Sequence, residues 1–441
     1  MCSVFVFDKD ALDLGFIEVH PGDHVVLKPN LVKEGREDKP EEWECVITSP
    51  WLIRQVCEYV CKKLQGKGLV TICDAPQSDS DFMKIRDRAR LDETAAECSA
   101  KYGVRVEVID LRSFVWSFSE GVVTDRHEQV GDPRGKIRFR LDGESKFAAH
   151  RGEGRYYGAD YDSDSLNSHH SNGVHEYLVC ATPIVADVFI CIPKMKTHKK
   201  TGCTLSFKNL VGINADKNWL PHHTCGSPEN GGDEFPQASV KNKGEDLARQ
   251  FSRTVIEKLP VVGPLIGRLV HKVGKAILGS GKTTVRSGNW YGNDTTWRMV
   301  HDLNYCLRYG NSDGTFRKDH PKRYYTVLDA IVGMEGVGPM QGTAKSVGLV
   351  LGGSDPLAVD VVAARIMGFD WRKLKVLKEA VGNWKITAIA SEDEIWNETV
   401  VSNRSEWNGK AFREFAQVYD GTPFEPHFGW RGHLEWKGLD A

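Results

Sequence analysis

The stretch Pro193–Gly212, PKMKTHKKTGCTLSFKNLVG, follows an apolar run, ADVFICIPK, and holds Lys194, Lys196, Lys199, Lys200 and Lys208 around His198. An ordinary strand-to-helix turn needs none of that charge. Amines at this density suit a phosphate or carboxylate. Thr201, Thr204 and Ser206 add hydroxyls, Asn209 adds an amide, and Gly202 and Gly212 let the backbone approach a ligand. Lys208 opens a helical pattern, KNLVGI. A cation near a helix N-terminus meets like-sign potential, which lowers its pKa and favours a neutral, nucleophilic amine. His198 is the candidate base for a hydroxyl proton, and Lys194 and Lys196 the candidate anion holders. Lys208 can tether a cofactor or form a Schiff base. His222 and His223 form a pair suited to metal binding or proton transfer. A catalytic site centred on His198 and Lys208 is one reading. An anion-binding loop without chemistry is the other.

In open parallel sheets, ligands bind beyond the carboxyl ends of the strands. Lys28 and Asn30 stand at the carboxyl end of the first apolar strand, HVVLKP (His24–Pro29), and share that edge with the His198 loop. Asp74, near the end of VTICDAP (Val70–Pro76), shares it too, or is a turn residue. Glu335 in MEGVGP is a candidate catalytic or metal-binding carboxylate. Asp294 in GNDTTW reaches the cleft or caps the next helix. Asp355 and Asp360 flank a helix start in SDPLAVD, where Asp355 or Ser354 suits the N-cap and Pro356 the first turn. His169, His170 and His175 lie in or beside a polar stretch and are expected to be solvent-exposed.

The elements that must position these residues alternate. A helix over Ser49–Gly68 follows the first strand, with Ser49 as cap, Pro50 in its first turn and Gly66 or Gly68 as its stop. A charged helix near Met83–Lys101 and a strand, Val104–Leu111, follow the second. This order predicts an α/β fold: a mostly parallel sheet with helices on both faces. From about 112 to 173 the pattern changes. KIRFRLD alternates like an antiparallel strand, and RGEGRYYGADYDSDSLNSHHSNG reads as an inserted polar lid. A second insertion is expected at about 240–290. Residues 1–320 then form the main domain, and 321–441 a C-terminal α/β part that closes the cleft. No site is expected in the Trp-rich segment beyond Asp370.

Within the second insertion, Val262, Leu265, Ile266, Leu269, Val270, Val273 and Ile277 fall at helical spacing, with Arg268, Lys272 and Lys275 opposite. This basic amphipathic helix, residues 258–278, docks on the body, on a second copy in a homodimer, or on an anionic membrane surface. AILGSGKT (Ala276–Thr283) fits a loose phosphate-loop pattern, but it lacks the buried strand in front and the helix behind that such a loop needs.

A net charge of −2 gives no global attraction to nucleic acid, and none is expected as a partner. The eleven cysteines are odd in number and follow no disulfide-rich or iron–sulfur spacing, which points to reduced thiols in a cytoplasmic protein. The N-terminus lacks the features of a signal peptide, and no window is long and apolar enough to span a membrane.

Five segments together resemble one family: LKPN (Leu27–Asn30), Pro193–Gly212, GNDTTWRMVHDLN (Gly292–Asn304), MEGVGP (Met334–Pro339) and SDPLAVD (Ser354–Asp360). They are similar to the bacterial and archaeal family termed domain of unknown function 362, and the resemblance covers most of the chain. Some members carry a ferredoxin-like cluster module whose cysteines are missing here. Lys217–Pro236 resembles members found in polysaccharide-related gene contexts, which implies a sugar-like substrate and a role in polysaccharide biosynthesis. The His198 loop is also similar to the site loop of nickel-pincer lactate racemase and its relatives. The order H-x-x-[AT]-G-x-[ST]-x-x-x-K fits His198, Thr201, Gly202, Thr204 and Lys208. That resemblance implies a lysine bonded to the pincer nucleotide, a proton-transferring histidine and a later histidine on nickel. His223 lies near that last position. The racemases have paired glycines where this chain has Leu205 and Ser206.

The expected function is an enzyme, racemase-like, performing isomerase, epimerase or redox chemistry on a small anionic or sugar-like hydroxy compound. The alternative is a non-catalytic binding protein for an anionic metabolite or polysaccharide intermediate. The expected catalytic residues are His198, Lys208 and Glu335. The expected substrate contacts are Lys28, Asn30, Lys194, Lys196, Thr201, Asn209 and Asp294. The cofactor is left open: a divalent transition metal suits His222 and His223, and there is no iron–sulfur motif.

Overall fold

Apolar runs without polar alternation make strands that are covered on both faces. Two such runs become β2 (His24–Pro29) and β10 (Val188–Ile192) of a large mixed sheet. The structure is a computed structural model that describes residues 3–119, 122–158, 160, 162–237 and 284–439. The helix expected over 258–278, with its membrane and homodimer readings, and the Ala276–Thr283 motif lie outside the described residues.

The sheet also holds β1 (Ser3–Asp8), β3 (Leu69–Asp74) and β4 (Arg105–Asp110). From later in the chain come β14 (Arg323–Glu335), β15 (Thr343–Gly353), β16 (Thr399–Ser402) and β17 (Lys410–Ala411). The strand order is β17-β16-β1-β15-β14-β10-β2-β3-β4. The run β14-β10-β2-β3-β4 is parallel throughout, whereas β15 is antiparallel to both of its neighbours. The segment after 321 thus shares its sheet with the first strands.

Along β10, Val188, Ile190 and Ile192 enter one core while Phe189 and Cys191 enter the other. Helices α1 (Pro50–Leu64) and α3 (Leu91–Tyr102) pack into the first. The second receives α6 (Ser206–Asn209), α7 (Thr296–Tyr309) and α8 (Pro356–Ile366). Pro50 opens α1 as expected, but the Ser49 side chain makes no cap bond, and the helix ends on Gln65 in the left-handed region. The charged helix near Met83–Lys101 is two helices, α2 (Phe82–Arg88) and α3, because Arg90 takes a left-handed turn at φ 50°. Asp355 caps α8 by accepting from the Leu357 and Ala358 amides at 2.9 and 3.4 Å.

The insertion after β4 begins with the hairpin β5 (Phe114–Ser119) and β6 (Val122–Glu128). Next, β7 (Lys136–Arg140) pairs antiparallel with β9 (Glu176–Cys180). The polar stretch between them contributes a two-residue strand, β8 (Tyr156–Tyr157), and the short helix α4 (Ser163–Ser168). A further short helix, α5 (Ala181–Val185), leads into β10. His170 and His175 are buried, contrary to the exposure expected of a polar loop. Phe147, Tyr156 and Tyr177 surround the His170 ring, and its Nε2 lies 2.9 Å from the Trp219 carbonyl. Among the described residues, no helix is long and apolar enough to cross a membrane.

Candidate active site

The lysine-rich stretch is not a loose loop. After Pro193 the chain resumes as a strand, β11 (Lys194–His198), which turns back as β12 (Gly202–Thr204). Strand β14 is long enough to pair first with β10 and then, through a register shift, with β11. The hairpin therefore extends the sheet at the carboxyl ends of β2, β3 and β10, and all five β11 residues are buried. Burial forces each lysine to find a partner or shift its charge.

Lys28 and Lys194 have found carboxylates. Lys28 Nζ is 2.7 Å from Asp74 Oδ1, and Lys194 Nζ is 2.9 Å from Asp329 Oδ2. Each acid also accepts backbone amides: Leu31 and Ala75 at Asp74, Ser49 and Ile331 at Asp329. Gly212 covers the first pair so closely that a Cβ there would stand 1.9 Å from Asp74 Oδ1. Gly202 sits at φ +80° against Leu374 and Trp430. Both glycines thus serve internal packing, not approach to a ligand.

Lys196, Lys199, Lys200 and Lys208 form no ion pair with a carboxylate among the described residues. Lys196 donates to Asn30 Oδ1 at 2.6 Å and the Val46 carbonyl at 2.8 Å. Lys200 donates to the Ser287 and His222 carbonyls at 2.6 and 3.3 Å, and lies 3.2 Å from His223 Nδ1. Lys199 and Lys208 are partly exposed, and their amines have no hydrogen-bond partner among the described residues. Burial, with Lys194 nearby, lowers the Lys196 amine to about 7. Burial and Lys199 lower Lys200 to about 7, and burial with Lys28 and Lys199 lowers Lys208 to about 8.

Two imidazoles stand in this field, and their hydrogen bonds fix opposite tautomers. His198 Nδ1 faces the amides of Lys200 at 3.1 Å and Thr201 at 3.3 Å, so it accepts and the ring proton sits on Nε2. His222 Nδ1 lies 2.8 Å from the Leu220 carbonyl, which only accepts, so Nδ1 carries the proton and Nε2 is a bare lone pair. Burial and the adjacent lysines, Lys208 first, hold both rings neutral well below the usual histidine range. His222 is fixed from three further sides. Its amide donates to the Tyr157 carbonyl at 2.7 Å, and its carbonyl accepts from Thr296 Oγ1 and Asn293 Nδ2. The inserted polar segment thereby meets the site through β8, which pairs with β13 (His223–Thr224).

The structure brings His198, Lys208, Lys196 and His222 into one electrostatic unit and gives most other expected site residues internal partners. Asn209 accepts from Lys28 and Asn30 and donates to the Lys28 carbonyl. The Thr201 hydroxyl donates to the Cys203 carbonyl at 2.9 Å. The polar groups of these two side chains are taken up by bonds inside the fold. Asp294 lies elsewhere, held by Arg298 at 2.8 Å and Lys375 at 3.0 Å, and Asn293 Oδ1 accepts the Thr296 amide at the start of α7. Glu335 pairs with Lys345 at 3.1 Å and accepts the Glu425 amide, a clamp between the β14–β15 hairpin and the C-terminal segment. His223 stacks on Tyr157 at 5.2 Å, and no third ligand atom joins it and His222 in a metal-like group among the described residues.

Sequence reasoning missed Asp329 and Trp430, and it gave Asp360 no role beyond flanking a helix start. Asp329 gives one signal, a lone acid in an apolar run. Asp360 turns inward from α8 to accept the Ser206 and Phe207 amides at 2.8 and 3.1 Å, fixing the turn that carries Lys208. Burial pushes its carboxyl up to about 7. Trp430, in the segment where no site was expected, donates Nε1 to the Lys199 carbonyl at 2.9 Å and packs on Gly202. An open cleft of about 730 Å³ at the β4 edge, lined by residues such as Val108, Gln129 and Pro133, contains none of these lysines.

The family model for the domain of unknown function DUF362 matches residues 145–365, half of the chain, and the protein belongs to that family. The matched region contains β10 to β12, Lys208, Asp329 and Asp360, whereas Lys28, Asn30 and Asp74 lie before it. No curated protein matches the chain, so the likeness to the racemases rests on the motif alone.

Proposed function

We propose that the protein is an enzyme that isomerises or epimerises a small anionic hydroxy compound by proton transfer, with sugar phosphates and hydroxy acids as the substrate class. The observation that carries this reading is the pair of neutral imidazoles in opposite tautomers among amines that meet no carboxylate among the described residues. Lys196, Lys199, Lys200 and Lys208 bind the anion as ammonium groups, and because burial and their neighbours lower these amines, the arriving anion draws protons onto those that are neutral. His222 Nε2 removes a proton from carbon or hydroxyl, and His198 Nε2–H donates one to the developing oxyanion. The reaction balances without an external electron acceptor. The buried, unpaired thiols are consistent with a reducing compartment, the cytoplasm.

The test is incubation with panels of sugar phosphates and hydroxy acids in deuterium oxide, followed by NMR. Deuterium entering at the carbon bearing or flanking the hydroxyl, and lost in His222→Gln with anion binding retained, supports proton transfer. Conversion without deuterium uptake points instead to hydride chemistry. Tight binding with neither conversion nor exchange, and only a modest loss of affinity in Lys208→Ala, establishes the binding-protein alternative.

A further inference from the structure

Three thiols meet far along the sequence from the lysine cluster. Cys57 and Cys61, one turn apart on α1, face Cys98 on α3, and the three sulfurs lie within 4.8 Å of one another. All three residues are at most 1% exposed, in the core between the helices and the sheet. A buried cysteine is commonly a small apolar filler. Three sulfurs converging on one point from two helices are a donor set. No imidazole or carboxylate ligand atom joins them among the described residues.

We propose that Cys57, Cys61 and Cys98 form a three-coordinate thiolate site for one soft, closed-shell cation, with copper(I) as the fitting ion. A metal bonded equally to three thiolates at about 2.3 Å places them about 4.0 Å apart in a trigonal plane, so the present spacing needs only a small contraction. Zinc sites are almost always four-coordinate, and hard cations want oxygen. An all-sulfur set of three selects copper(I). Arg54 on α1 and Lys101 on α3 bring positive charge to the same pair of helices. Those two side chains are 39% and 60% exposed at the helix surface, so the site lies just beneath solvent. Binding exchanges up to three thiol protons, released to water, for one Cu⁺, with no change of oxidation state.

The full chain, reduced and stripped of metal, is titrated anaerobically with Cu⁺ against a chromogenic Cu⁺ chelator. The expected result is one equivalent held per chain. X-ray absorption should then show three sulfur neighbours at about 2.3 Å. Cys57→Ala, Cys61→Ala and Cys98→Ala should each weaken retention about 100-fold, while Cys306→Ala, on α7, should not. No retained copper, retention unchanged in all three variants, or nitrogen and oxygen neighbours would overturn the proposal. The absorption measurement on the unaltered chain decides the matter even where a variant fails to fold.

Discussion

Lys194 and Lys196 sit two residues apart on one strand, equally buried, and meet opposite environments. Lys194 has a carboxylate, Asp329, whose second role is to hold the start of α1. Lys196 has an amide oxygen and a carbonyl, and its amine falls to about 7. The same division runs through the whole edge: Lys28 and Lys194 are paired with carboxylates, whereas Lys196, Lys199, Lys200 and Lys208 meet none among the described residues. Paired lysines are structural, because a buried ion pair contributes chiefly through what breaking it costs. On the proposed function the others are binding capacity, because an arriving anion supplies the negative partner that the described residues do not.

The comparison breaks most visibly at Asp329. Asp329→Ala strands Lys194 and frees the Ser49 amide, and chemical denaturation should show a loss of about 3–5 kcal/mol. Lys196→Met should do the reverse. It should cost about 1.5–3 kcal/mol of anion affinity, read by calorimetry with inorganic phosphate, while folding stability holds or rises at pH 6. Gly212→Ala pushes a methyl into the Lys28–Asp74 pair, and a destabilisation of about 1–3 kcal/mol is expected from the same denaturation series.

The pH dependence sharpens the contrast. Lys196 titrates at about 7 in the folded chain against an ordinary 10.5, so between those values the unfolded chain binds more protons. Stability attributable to this group therefore rises with pH across that window, and the rise should vanish in Lys196→Met. Anion binding runs the other way. It favours charged amines, so affinity should fall as pH climbs through 7 to 8 and beyond. Calorimetry at pH 8 in two buffers of different ionisation enthalpy should detect proton uptake on binding. The smallest effect belongs to Glu335→Gln, which loses one partly exposed pair with Lys345. A cost of about 1 kcal/mol or less, with phosphate affinity unchanged, is expected.

Much of this edge was legible in the chain. The apolar runs of β2 and β10, the lysines behind them and the Pro50 and Asp355 helix starts are local signals, and each is where spacing puts it. Other features depend on distant partners. A polar run around His170 reads as exposed until Phe147, Tyr156 and Tyr177 enclose it. Glu335 reads as catalytic until Lys345 and the Glu425 amide take its oxygens. Arg90 splits one expected helix in two at a left-handed turn that no glycine marks.

By itself, then, the sequence determined an α/β sheet with a cluster of amines and a histidine at its carboxyl edge, because periodicity and composition act over a few residues. It could not determine which lysines meet a carboxylate. That depends on which carboxylates arrive: Asp74 from the next strand, and Asp329 from more than a hundred residues away. Nor could it set the tautomers of His198 and His222, because a ring proton goes where a backbone amide or carbonyl is waiting, and only the folded chain puts those groups in place.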